Sequence, residues 1–242
     1  MASRLDQPFA VFDIDGTVIR WQLYHALSDA LANKGIINKA AFEQVRAARM
    51  EWKQRSGGES FHNYEQALVH VFEKALKGLE VDDLKSAADE VFNEYKDQVY
   101  TYTRDLLREL KQEHYLLFAI SGSPDIIIEK LARYYGFDDY AASTYESHGG
   151  QFTGKIDLSV GKKATLLQKL ITKHHAQTTA SIGVADSEGD IAMLKLVEQP
   201  IAFNPTKKLI DFAASQHWPI VVERKNMIYS LNYKNGQYGL TI

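Results

Sequence analysis

Two aspartates, Asp13 and Asp15, stand at the end of an apolar run of strand-forming residues, Phe9-Ala-Val-Phe12, and a Gly16-Thr17 turn follows them. In a strand alternate side chains share a face, so the pair starts out pointing the same way, with Ile14 turned into the packing. A turn or a helix cap needs one Asp, whereas two like charges at a buried strand end repel each other. A metal ion, or a proton shared with a substrate, would relieve that repulsion. The pair therefore marks a candidate site.

Two more strand ends carry polar groups. The apolar run Tyr115 to Ser121 leads into Ser121-Gly122-Ser123-Pro124-Asp125, which predicts Ser123 as N-cap, Pro124 at the first helical position and Asp125 in the first turn. Ser121 is then placed beside a helix N-terminus, where N–H groups favour an anion, although a simple turn role fits the local sequence equally well. Thr179 to Asp186 is another strand ending in an acid, with Asp190 one turn further on. Asp186 can face the same crevice as Asp13; Asp190 can do so or can complement the helix dipole. Lys162 and Lys163 enter an apolar helix at the end its dipole disfavours, a weak hint of an anion beside what is otherwise a solvated pair.

The elements that would position these groups alternate between strand and helix, the pattern of a doubly wound parallel sheet of Rossmann-like architecture. In such a sheet the strand ends converge on one crevice, where ligands bind. After the first strand comes a long helical stretch, with Leu23, Leu27 and Leu31, then Phe42, Val45 and Met50, then Leu68, Val71, Phe72, Ala75 and Leu76, then Val81 onward. It exceeds what a crossover needs, so residues 20–100 are expected to form a helical cap over the carboxylates, with 1–19 and 101–242 as the core. Residues 140–157, with Gly149-Gly150 at the centre, predict a hairpin or flap. Pro219-Ile-Val-Val suggests an edge strand, and the tail from Arg224, with Tyr229, Tyr233 and Tyr238, carries no assignment.

Carboxylates without Cys or His suit a hard, oxygen-loving ion such as Mg²⁺, and a hydroxyl, a helix N-terminus and a lysine add complementarity to a phosphoryl group. The inferred chemistry is phosphoryl transfer through an aspartyl-phosphate. Bulk properties agree with a small-molecule enzyme. The 242 residues, 45% hydrophobic and 24% charged with a net charge of −3, show no basic footprint for nucleic acid and no run long enough to span a membrane. The chain contains no Cys, which removes thiolate chemistry, and its first residues lack the apolar core of a signal peptide, so a cytoplasmic protein is expected.

Asp-Ile-Asp-Gly-Thr at 13–17, Ser-Gly-Ser at 121–123, Lys162-Lys163 before an apolar helix, and Asp186-Ser-Glu-Gly-Asp190 occur in that order and together resemble the haloacid dehalogenase superfamily, in its phosphoserine-phosphatase-like branch (subfamily IB). The resemblance covers most of residues 9–223. It implies Asp13 as nucleophile and Asp15 as general acid/base, with Ser121, the Gly122 loop amide and a lysine as phosphate ligands. Asp13, a main-chain carbonyl at Asp15, and Asp186 would hold Mg²⁺, with Asp190 in support. The family's pattern of a lysine followed by apolar positions three and four residues later fits Lys163, with Leu166 and Leu167, so the resemblance favours Lys163 over Lys162. The implied activity is a Mg²⁺-dependent phosphatase acting on a small phosphorylated metabolite; a phosphotransferase or phosphomutase, or a non-enzymatic receiver-like protein, uses the same groups. Gln22 stands where phosphoserine phosphatases carry a cap glutamate, and Val69-His70-Val71 stands where they carry arginine, so phosphoserine is disfavoured. Gln22 and Arg49 are the candidate substrate contacts. Arg46, Arg49 and Lys53 could meet a second anionic group but read better as a solvated helix face, and Trp21, Tyr24, His25 and Trp52 could line an aromatic pocket but read better as cap packing.

Overall fold

The structure is a computed structural model that describes residues 7–54, 56–57 and 60–241, with Phe61 and His62 described by backbone alone. The opening residues read above for a signal segment lie outside the described residues. The chain divides into two compact units. One comprises Met1–Gln22, Tyr95–Ser143 and Leu158–Ile242; the other comprises Leu23–Glu94 and Thr144–Asp157.

The first unit is built on a sheet. Strand β1 (Pro8–Phe12) lies between β2 (Leu116–Pro124) and β5 (Gln177–Ala185), and β3 (Asp139–His148), β6 (Gln199–Phe203) and β7 (Ile220–Arg224) extend it, all parallel. Strand β1 has neighbours on both sides and is apolar on both faces, as a central parallel strand must be. Phe9 and Val11 join a core with Leu167 and Leu170 of α7 (Lys163–His174), Met193 and Leu194 of α8 (Ile191–Leu194), and Leu209 and Ala213 of α9 (Lys207–Ser215). Phe12 meets Phe137 edge-on at 6.1 Å, just beyond α6 (Asp125–Tyr135). Phe9 and Phe12, both fully buried, each contribute about 2 kcal/mol of burial free energy.

Two sequence expectations change here. The Pro219 segment forms β7 but is not an edge, because β8 (Met227–Lys234) pairs antiparallel with it and β9 (Gln237–Thr241) with β8. The unassigned tail is thus a meander turning at Asn235-Gly236, both at positive φ, 52° and 84°. Glu223 on β7 ties this part of the sheet to a helix. Its buried carboxylate accepts from the Thr101 and Tyr102 amides at 3.0 and 2.8 Å and from the Thr101 hydroxyl at 2.7 Å, capping α5 (Thr101–Gln112) from 122 residues away.

The second unit holds α1 (Leu23–Asn33), α2 (Lys39–Lys53), α3 (Ser60–Leu76) and α4 (Val81–Tyr95). The far half of β3 and strand β4 (Gln151–Asp157) belong with these helices, although the sequence reading leaves them in the core. Gly78 N and Phe152 N donate to Phe152 O and Leu79 O at 2.9 and 3.0 Å, and Val81 N donates to Gly150 O at 2.8 Å. Tyr145 packs against Phe72 and Phe152. Cross-links at that density from the α3–α4 turn make the hairpin part of the helical unit. The hairpin itself turns at Gly149-Gly150, as its sequence predicts.

Candidate active site

All the acids of the candidate site lie within the sheet unit. Strand β1 ends at Phe12, and Asp13 N continues its ladder by donating to Val184 O at 3.0 Å. The backbone then folds back on Ile14, whose carbonyl accepts from the Thr17, Val18 and Ile19 amides, while the Ile14 side chain is fully buried as expected. Gly16 makes this turn possible. Its φ is +81°, and a Cβ there would run into the Asp186 carboxylate and approach Gln22 Nε2 at 3.3 Å.

Asp13 is buried, and its Oδ1 accepts from Lys163 Nζ at 2.8 Å while Oδ2 accepts from Thr17 Oγ1 at 3.3 Å. The same ammonium donates to Asp190 Oδ1 at 2.5 Å, and Asp190 Oδ2 accepts from Ser187 Oγ at 2.6 Å. Asp13, Asp186 and Asp190 each offer a carboxylate oxygen within 4.8 Å of the others. Burial pushes Asp13 up to about 7, with Lys163 opposing and the Asp190 and Asp15 charges adding to it. Asp186 is likewise driven well above the usual carboxylate range, first by burial and then by Asp13 and Asp190. Burial disfavours the Lys163 ammonium, but the Asp13 and Asp190 carboxylates outweigh it and hold the lysine protonated. One buried cation against three acids leaves excess negative charge, and hard oxygen donors at this spacing fit a divalent ion such as Mg²⁺.

Asp15 behaves differently. Its Oδ2 accepts from Ser121 Oγ at 2.6 Å and its Oδ1 from Ser123 Oγ at 3.1 Å, and its carboxylate stands outside the three-acid cluster. The expected N-cap role of Ser123 is thereby corrected. The helix starts at Asp125 after a Pro124 cap without a side-chain bond, and the Ser123 hydroxyl is spent on Asp15 instead. The Ser123 amide donates to Ser121 Oγ at 2.9 Å, so Ser121 is held from two directions.

Of the two lysines, Lys163 reaches the acids, whereas Lys162 precedes α7 at its N-cap. Gln22 lies beside Gly16 and Asp186. Arg49 is engaged within its own unit. Its NH1 and NH2 donate to both Asp29 oxygens at 2.9 Å and its Nε to Tyr64 Oη at 2.8 Å, which makes it an internal tie of the helical unit. Arg46 pairs with Glu43 on an exposed face. Tyr24 packs on Phe72, His25 on Tyr64, and Trp52 stacks on Tyr64 at 5.5 Å, the packing role read for them. Sequence reasoning missed Thr17, Ser187 and the Asp15 contact of Ser123. Thr17 and Ser187 stand inside the two acid motifs and Ser123 inside the Ser-Gly-Ser motif, and that membership was the available signal.

Comparison with known proteins identifies a family. The haloacid dehalogenase-like hydrolase family model matches residues 10–195. A histidinol-phosphatase of Neisseria meningitidis serogroup C (strain 8013) is 25% identical over 228 residues, covering 88% of this chain and 97% of that protein. A Bordetella pertussis Tohama I protein of unknown function superposes with a TM-score of 0.72 at 20% identity, over 89% of this chain and 98% of the other. A phospho-aspartyl intermediate analogue of phosphoserine phosphatase superposes with a TM-score of 0.63 at 21% identity, over 91% and 95%. Together with strand-end acids gathered around Lys163, the family match makes this chain a member of the haloacid dehalogenase-like hydrolases.

Proposed function

We propose that the protein is a Mg²⁺-dependent phosphomonoesterase acting on a small phosphorylated metabolite through an aspartyl-phosphate on Asp13. The observation that carries this reading is the pairing of two differently held carboxylates: Asp13 against Lys163, and Asp15 against two serine hydroxyls. The histidinol-phosphatase relative supports an ester of a small organic alcohol as the substrate class.

Asp13 and Asp186, with Asp190 in support, would hold Mg²⁺. Bound there, Mg²⁺ supplies the positive charge that lets a carboxylate approach a phosphate. Lys163 serves the same end from the protein side and aligns Asp13 Oδ1. Asp13 attacks phosphorus, the ester P–O bond breaks, and Asp15 passes a proton to the leaving oxygen. In the second step Asp15 takes a proton from water, whose oxygen attacks the phosphorus; the Asp13–phosphorus bond breaks and inorganic phosphate leaves. Ser121 Oγ, now on Asp15, would turn to a phosphate oxygen, and the Gly122 amide would complete the cradle. Gln22, a neutral amide beside Asp186, is the remaining candidate for contact with the substrate.

The test is hydrolysis of an aryl phosphate by the purified chain. Activity should require Mg²⁺, vanish on chelation and vanish in Asp13→Asn. Turnover that survives both treatments would sink the reading.

A further inference from the structure

Two serines outside every motif lie behind the phosphate loop. Ser143, at the point where β3 leaves the sheet unit, and Ser159, where the chain has returned to it, are both buried. Ser159 Oγ donates to Ser121 O at 2.5 Å, and Ser143 Oγ donates to Gly122 O at 2.8 Å. The two hydroxyl oxygens are 3.1 Å apart, and Ser159 N donates to Ser143 Oγ at 3.1 Å. A serine hydroxyl carries one proton, and the shorter carbonyl contacts claim both protons. Ser143 Oγ is then the acceptor for Ser159 N. Each hydroxyl therefore pins one carbonyl of the loop.

We propose that Ser159 and Ser143 are positioning residues of the phosphate site, fixing the peptide planes on either side of Gly122. The inference rests on the phosphomonoesterase reading of that site. A trans peptide is planar, with its N–H opposed to its C=O, and no described peptide bond is cis. Holding the Ser121 carbonyl towards Ser159 therefore fixes the Gly122 N–H on the opposite edge of that plane. Holding the Gly122 carbonyl fixes the Ser123 N–H, which donates to Ser121 Oγ.

Ser159 also belongs to the turn that presents Lys163. Its carbonyl accepts from Lys162 N at 2.9 Å, Gly161 turns the chain at φ +75°, and α7 begins at Lys163. A Cβ on Gly122 would come within 3.2 Å of Val160 Cγ2, so the loop is packed onto this turn. Ser159 thus ties the Ser121–Gly122 loop to the element carrying Lys163, and sets the spacing between an amide donor and a cation that would grip the same phosphate. Preorganised donors of this kind stabilise developing charge without reorganising during reaction.

The experiment compares Ser159→Ala, Ser159→Cys and Ser143→Ala with the unaltered chain in aryl phosphate hydrolysis with Mg²⁺. It also measures inhibition by inorganic phosphate and thermal unfolding. Ser159→Ala should lower kcat/KM by about tenfold or more, weaken phosphate inhibition several-fold, and shift the melting temperature by only a few degrees. Ser143→Ala should move both quantities the same way by less. A folded Ser159→Ala protein with kcat/KM within about twofold of the unaltered chain overturns the inference, as does a fall in kcat/KM with unchanged phosphate inhibition. Should Ser159→Ala not fold, Ser159→Cys, which fills the same space with a weak donor, decides on the same two numbers. An unaltered chain that neither hydrolyses the ester nor responds to phosphate overturns the phosphomonoesterase reading as well.

Discussion

Lys163 lies between two carboxylates, 2.8 Å from Asp13 and 2.5 Å from Asp190, with its side chain 11% exposed. Lys163→Met keeps most of the volume and removes the charge, leaving two acids buried together without their cation. Breaking a buried ion pair by deleting one partner costs about 3–5 kcal/mol. In the metal-free protein that cost should appear as a lower urea midpoint at unchanged m. Mg²⁺ should restore part of the loss, since a divalent ion supplies the missing positive charge. On the proposed mechanism, removal of a preorganised charge that would face the phosphate should lower kcat by about 10²–10³-fold. Lys162→Met is the control for catalysis: the residue stands at the N-cap of α7, and its replacement should leave most of the turnover in place. If Lys162→Met abolishes activity while Lys163→Met does not, the assignment of the lysine is wrong. If Lys163→Met unfolds at the same urea concentration as the unaltered chain, the view of these acids as a buried cluster in need of a cation is wrong.

His25 is buried against Tyr64, and desolvation together with the Arg49 charge lowers it to about 3 from an ordinary 6.5. The unfolded chain then binds a proton below 6.5 that the folded chain refuses, so stability falls as pH drops from 6.5 towards 3; at pH 5 the loss is about 2 kcal/mol, absent in His25→Leu, and a ring that titrates near 6.5 in the folded protein would refute it. Glu223→Ala uncaps α5 and should cost about 2 kcal/mol in chemical unfolding, with Glu223→Gln recovering part of that; a cost below 0.5 kcal/mol would show the cap to be dispensable. Gly16→Ala forces a side chain into a left-handed turn and onto Asp186, so hydrolysis of the aryl phosphate should drop by at least about tenfold, and an unimpaired variant would contradict the packing described.

What could be read from the sequence was what repeats at short range. Asp13 and Asp15 follow an apolar run within seven residues, Asp186 ends another, and alternation of strand and helix fixes that such ends share one side of a parallel sheet. The Asn235-Gly236 hairpin was readable by the same logic, since Asn-Gly between alternating apolar residues is a strong turn signal. The pairing of its strands is not readable in the same way, because the tyrosines of that tail do not say which strand they pair with. Other choices lie beyond any local rule. Ser123 satisfies the pattern of a helix cap as well as that of an Asp15 ligand, and only the arrival of β1 beside β2 decides between them. The hairpin at 144–157 has strand chemistry that suits either unit, and its backbone bonds to the turn near Gly78 settle the matter.

The serines are the sharpest case. Ser159 bonds a carbonyl 38 residues away and Ser143 one 21 residues away. A hydroxyl's partner is set by what the fold brings within 3 Å, and Ser carries no periodicity or charge that would announce the meeting. The nucleophile and the cation of such a site belong to motifs because their chemistry restricts the residue type. The groups that hold the loop in register belong to none, because many arrangements could hold it. Residues of that second kind have to be found in the folded chain, by asking which buried carbonyls of a binding loop are tied and by whom.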